Sequence, residues 1–392
     1  MSGCADSDDA RDDVNFGSTQ QSLCGSKLGH RITHFGTSEF YFSTPKLYQS
    51  WFLVDTCTGA LVNSGTPWTP ITVAANGRAF GPHVLTMGVG MSSWDKNFRR
   101  DAFYISDTGS VAHVFSNDRG SNWGADDWGA PSGYNLYGQM GVASWGSGRV
   151  DVFVLGKTGS LSSTDATGNS LFHRSWDNGS FSAWQNVGPA PYVFNAPSSS
   201  TQDVGVSAVS WGPNRIDVFA RGYGSTLAHW YSTNGTSFGS DTWPTGYAPF
   251  NAPDVASWGD QRLDVYYERY TVAAPVVTDQ LKHLWWDHGG SAEDDWGTHN
   301  AACSPYPLAG TRTGLLGAAA TTLPTGVWIA PSWSCGVNSG NNSPLYQFHH
   351  RWTNAGGSTV HAWQEVTPSL ASVSGMFAFS AFGDGAVVVS DL

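Results

Sequence analysis

A motif returns three times along this chain with its order kept, and a chain that repeats itself in this way folds as an array of like units. Ala143-Ser144-Trp145-Gly146 leads to Arg149-x-Asp151-Val152-Phe153 and on to Leu171-x-His173-x-x-Trp176. Val209-Ser210-Trp211-Gly212 leads to Arg215-x-Asp217-Val218-Phe219 and Leu227-x-His229. Ala256-Ser257-Trp258-Gly259 leads to Arg262-x-Asp264-Val265-Tyr266 and Leu281-x-His283-x-x-Trp286. The runs are short, alternate with period two and are bounded by Gly-rich turns, so each unit reads as antiparallel strands. We call these strands A (Ser-Trp-Gly), B (Arg-x-Asp), C (Leu-x-His) and D, the last marked by one more Trp: Trp68, Trp128, Trp184, Trp243, Trp296 or Trp363.

Four-stranded units repeated every 50 to 60 residues or so predict an all-β fold, a β-propeller of four-stranded blades. Degenerate copies extend the pattern in both directions. Thr33-His34-Phe35-Gly36, read as strand A, precedes Glu39-Phe40-Tyr41-Phe42. Met91-Ser92-Ser93-Trp94 precedes Arg99-x-Asp101-Ala102-Phe103 and Val111-x-His113. Gly317 to Pro331 is a poor A–B pair, and Ser380-Ala381-Phe382-Gly383 precedes Ala386-Val387-Val388-Val389. This gives seven A–B pairs and six C–D pairs. Seven blades are favoured, with six as the alternative in which the last A–B pair joins the first N-terminal unit. The expected organisation is an acidic segment at 1–28, a candidate for closing the ring, followed by a single propeller domain at 29–392.

The composition bounds the function. A net charge of −12 gives no basic footprint for nucleic acid. No apolar run has the length of a membrane span. Five Cys (Cys4, Cys24, Cys57, Cys303, Cys335) have no Cys-x-x-Cys spacing and match no zinc pattern. Cys24 with Cys57 and Cys303 with Cys335 are candidate bridges in an oxidising compartment. The sequons at Asn178, Asn234 and Asn341 point the same way, to a secreted or secretory-pathway glycoprotein whose signal peptide has been removed.

Asp and His recur together as Asp101 with His113, Asp151 with His173, Asp217 with His229 and Asp264 with His283. A proton relay is needed once, whereas a scaffold contact is needed in every unit. The pairs are therefore expected to be buried hydrogen bonds with the Arg covering the Asp charge. The repeated Trp residues are expected to pack unit against unit.

The Ser-Trp-Gly-x-x-Arg-x-Asp-Val-Phe … Leu-x-His-x-x-Trp pattern resembles the repeat of the bacterial and fungal fucose-binding propeller lectins, most specifically over residues 141–299. The resemblance implies sugar pockets between adjacent blades. In the fungal branch an Arg on strand B and a Glu on strand C hold the sugar. Here Asp151, Asp217 and Asp264 stand at the Arg position, and His173, His229 and His283 at the Glu position, so the fungal clamp is absent. The units have also diverged and their connections differ in length, which suggests one specialised pocket rather than a ring of equal ones.

No nucleophile elbow, metal motif or nucleotide loop is present, so no metal and no cofactor are expected. Two readings follow. One is a single-site, cofactor-independent biosynthetic cyclase, a pericyclase of the hetero-Diels–Alder type on a polyketide- or terpenoid-like small molecule. It would work by proximity and electrostatics in an aromatic pocket, and lectin-like propellers of this kind resemble such fungal enzymes. The other is a secreted carbohydrate-binding lectin of the fucose type, with a glycan as partner. The candidate site residues come from places where the repeat breaks. Arg269 and His350 are candidate catalytic donors. Tyr267, Trp285, Trp286, Trp230, Tyr231 and Arg351 are candidate ligand-binding residues.

Overall fold

The computed structural model describes strands at 29–37, 47–55 and 69–70. It then describes residues 90–92, 99–106, 108–118, 121–161, 167–190, 205–249, 252–257, 259, 261–273 and 276–298. Beyond these it describes strands at 314–323, 326–338, 344–350, 353–354, 359–360, 364–371, 377–379 and 388–389. Side chains are described within 99–297, apart from 270–279.

The described residues form β-structure throughout, in consecutive antiparallel sheets. Unit 2 comprises Gly90–Ser92, Arg100–Ile105, Val111–Ser116 and Gly124–Gly129. In unit 3, Asn135–Ala143, Arg149–Lys157 and Asn169–Asp177 are followed by a D strand in two pieces, Ser180–Phe181 and Gln185–Pro189. Unit 4 is Val206–Gly212, Arg215–Arg221, Thr226–Ser232 and Gly239–Pro244. Unit 5 is Asp254–Ala256, Arg262–Ala273, Val276–Asp287 and Gly290–Thr298. Within each of these units the strands lie in sequence order A to D, as the repeat predicts.

The A strands pack in succession, from 90–92 to 135–143, 206–212, 254–256 and 314–323, then to 377–379, which touches 90–92 again. This circuit of inner strands is the mark of a propeller. It has six members among the described strands. The last repeat does not stand as a sheet of its own. Phe377–Phe379 and Val388–Val389 both pair with Gly29–Thr37, which pairs with Leu47–Asp55. That is the pairing required by the six-blade alternative. Strand 29–37 thus takes the B position, one place later than strand A, where the sequence pattern put it. Residues 1–28 lie outside the described residues.

The core is divided among the layers between sheets. Period-two alternation on strand B sends Val150, Val152 and Val154 toward unit 2, and Phe153 and Leu155 toward unit 4. Ile216, Val218 and Ala220 face unit 3, whereas Phe219 joins Leu263, Val265 and Tyr267 between units 4 and 5. Each A–B turn is tied by its Ser: Ser144, Ser210 and Ser257 donate to the carbonyls of Gly146, Gly212 and Gly259 at 3.1, 2.9 and 3.1 Å.

Candidate functional site

Alternation on strand B puts Arg, Asp and the aromatic residue on one face, and register brings the strand-C His beside them. His113 donates from Nε2 to Asp101 (2.8 Å) and from Nδ1 to Asp126 on strand D (2.8 Å). His229 bridges Asp217 (3.0 Å) and Asp241 (2.7 Å), and His283 bridges Asp264 (2.9 Å) and Asp294 (2.8 Å). His173 keeps Asp151 at 2.8 Å but meets Gln185 at 3.5 Å instead of a second carboxylate. The strand-B Arg closes each cluster: Arg149 reaches both oxygens of Asp151 (2.8 and 2.6 Å), and Arg99, Arg215 and Arg262 do the same for Asp101, Asp217 and Asp264. Each His ring stacks on Phe103, Phe153, Phe219 or Tyr266 at 4.2 to 4.8 Å.

An imidazole between two carboxylates donates from both nitrogens and is an imidazolium. Burial alone would lower the pKa of His113, His229 and His283. The hydrogen bonds and charges of the two carboxylates outweigh burial and raise all three above the ordinary 6.5. For Asp264, burial would raise the pKa, but His283 and Arg262 hold it below the usual carboxylate range. The clusters recur in four successive units, so they are the structural clamps expected of the Asp–His pairs. The second carboxylate was not foreseen. Its signal lies in the sequence as Asp126-x-Trp128, Asp241-x-Trp243 and Asp294-x-Trp296.

One clamp opens onto a cavity of about 310 Å³ between units 4 and 5. Arg215, Tyr231, Asp241 and Trp243 of unit 4 line one side, over His229, and Leu263, Leu284, Trp286 and Ser291 of unit 5 line the other. The Arg215 guanidinium stacks 5.2 Å from the rings of both Trp211 and Tyr231. Asp241 has half its side chain in solvent (52%). The hydrogen bond from His229 is the main reason its pKa lies below the ordinary 3.8, so it is a carboxylate acceptor at neutral pH.

Of the candidate residues, the structure brings Tyr231 and Trp286 together in this cavity. Trp230 and Tyr267 are buried instead, Trp230 against unit 3 and Tyr267 against unit 4, because they fall on the inward phase of their strands. Burial is also the main reason the Tyr267 phenol is held well above its usual pKa. Trp285 lies under Arg262, 4.9 Å from ring centre to guanidinium carbon. Arg269 stacks 3.5 Å over Tyr247 and donates to Gln280 (3.1 Å), away from the cavity walls. His350 lies on strand Pro344–His350 opposite Ser332, with its side chain outside the described residues, and Arg351 lies outside them altogether. The sequence reading had not singled out Arg215, Asp241, Leu284 or Ser291 as site residues.

No protein-family model matches the chain, and no curated protein matches it. Solved structures similar to it include the fungal Aleuria aurantia lectin, described as a six-bladed β-propeller with a novel fucose recognition mode. That lectin is 14% identical with a TM-score of 0.47, covering 88% of this chain and 99% of that one. An arginine-to-alanine mutant of AofleA from Arthrobotrys oligospora is 12% identical with a TM-score of 0.47, covering 93% and 97%. A point mutant of the NanB sialidase of Streptococcus pneumoniae is 9% identical with a TM-score of 0.52, covering 79% of this chain and 65% of that one. At these identities the likeness is one of fold.

Proposed function

We propose that the protein is a lectin-like propeller that binds one neutral carbohydrate ring in the cleft between units 4 and 5. The observation that carries this reading is the pairing, in a single cavity, of the aromatic rings of Trp286 and Tyr231 with an ionised Asp241 and the Arg215 guanidinium. A sugar ring has an apolar face and a rim of hydroxyls. An indole takes the face, a carboxylate accepts from hydroxyls and a guanidinium donates to them. The volume lies at the small end of the range for ligand pockets, about 300 Å³ and up. Asp217 and His229, at the positions of the fungal clamp, bond each other and so are not free to hold fucose in that manner. The secretory-pathway assignment belongs to the same reading: Asn178 and Asn234 stand in exposed hairpin turns, where sequons are accessible.

A fluorescence titration of the full chain with a panel of neutral methyl glycosides tests the proposal. A saturable change for at least one glycoside, abolished in Trp286→Ala, is expected. A panel without any response rejects carbohydrate binding.

The cyclase reading keeps one observation in its favour. Strands B and C of unit 5 run 12 residues each, against 7 in unit 4, and the extension holds Arg269. Turnover of a conjugated diene–enone small molecule that falls in Arg269→Ala would favour it. Turnover unchanged in that variant would remove Arg269 from the reaction.

A further inference from the structure

We propose that one position in the C–D hairpin sets whether the cleft in front of each unit is open, and that Ser291 is the open setting. The proposal rests on the carbohydrate reading only for the identity of the ligand. The position is defined by register. Phe181 stands opposite Trp176, and Ser291 opposite Trp286, in each case three residues after the clamp His. In unit 4 the matching residue is Phe238, just before Gly239, which stands opposite Tyr231.

Each aromatic residue at this position reaches back to the preceding sheet. Phe181 lies edge-on to Trp128 at 5.1 Å. Phe238 lies edge-on to Phe153 (5.6 Å) and His173 (5.0 Å). It takes the place of a strand-D Trp, since Trp184 of unit 3 has moved to donate from its indole to the Trp128 carbonyl at 3.2 Å. The residue one after the clamp His changes in concert. Arg174 donates to the Trp128 carbonyl and stacks on Phe181 (5.1 Å), and Trp230 is buried against unit 3. In unit 5 both positions are cut back, to Leu284 and Ser291, and the space in front of Trp243 is the cavity.

The cleft between units 2 and 3 is accordingly a latent copy of the open one. Arg99, Phe115, Asp126 and Trp176 stand there where Arg215, Tyr231, Asp241 and Trp286 stand in the open cleft. Only the plug, Phe181 with Arg174, is added.

Two variants test this. A crystal structure of Ser291→Phe is expected to show the new ring edge-on to Trp243, as Phe181 lies on Trp128, with the cavity filled. Its response to whichever methyl glycoside the wild type binds is expected to fall at least tenfold. A ring turned to solvent over an unchanged cavity would overturn the proposal. Arg174→Leu with Phe181→Ser is expected to raise the calorimetric stoichiometry by one site per chain. A folded double variant whose crystal structure shows no cleft in front of Trp128 would also overturn it. If the wild type binds no glycoside, the carbohydrate reading fails, and the ring position in Ser291→Phe still decides the plug.

Discussion

At the residue scale the repeated Arg–Asp–His–Asp clusters govern stability. Asp217 is fully buried between Arg215 and His229, so removing its carboxylate leaves Arg215 without both acceptor oxygens and His229 with Asp241 alone. Breaking a buried pair from one side costs about 3–5 kcal/mol. Asp217→Ala should therefore lower the unfolding free energy by about that amount, measured by chemical denaturation. A loss below about 1 kcal/mol would contradict the structural role. The clamps also set a pH dependence. The folded-state pKa values of His113, His229 and His283 are raised, so the stability they confer is complete below 6.5 and is lost as pH rises through the folded values. The melting temperature should fall over the interval above pH 6.5, and the slope should flatten in His229→Gln. A melting temperature that rises over this interval would exclude imidazolium clamps. The Asp–His pairs were legible in the sequence because recurrence separates scaffold from chemistry. Their second carboxylate was not legible, because it stands on strand D, which carries no Arg-x-Asp pattern, and unit 3 has Gln185 in its place.

At the element scale the fold rests on how closely the inner strands approach. A Cβ on Gly141 would meet Ala208 at 2.9 Å, and one on Gly90 would meet the Met140 carbonyl oxygen at 2.7 Å. Gly141→Val should destabilise the chain by about 1–3 kcal/mol through overpacking between units 3 and 4. An unchanged melting temperature would show that these strands can separate. Strand order and turns within units 2 to 5 could be read directly, since period two and Ser-Trp-Gly are local signals. The inward or outward phase of Trp230 and Tyr267 could not. Both faces of a propeller strand are apolar, and only the neighbouring sheet decides which side chain is enclosed.

At the scale of the whole molecule the repeat argues for many equal clefts, and the structure shows how side chains make them unequal. Divergence of the units suggested one specialised pocket. The described residues hold a cavity between units 4 and 5, and its place could not be read in the sequence because it depends on Ser291 of one unit and Trp243 of the unit before. The six-membered circuit was legible only as the alternative to seven blades, since choosing it depends on a C-terminal strand pairing with residues 29–37. Because Asp241 is held ionised, binding should weaken as pH falls through its lowered pKa, and Asp241→Asn should bind weakly at all pH values. A pH-independent affinity in the wild type would show that this carboxylate does not contact the ligand.

The central claim, that the cleft open between units 4 and 5 takes a neutral sugar, is tested most directly by isothermal titration of the full chain with the best glycoside from a glycan array. One site per chain, lost in Trp286→Ala, is the predicted result. Several equivalent sites, or full binding in Trp286→Ala, would contradict it.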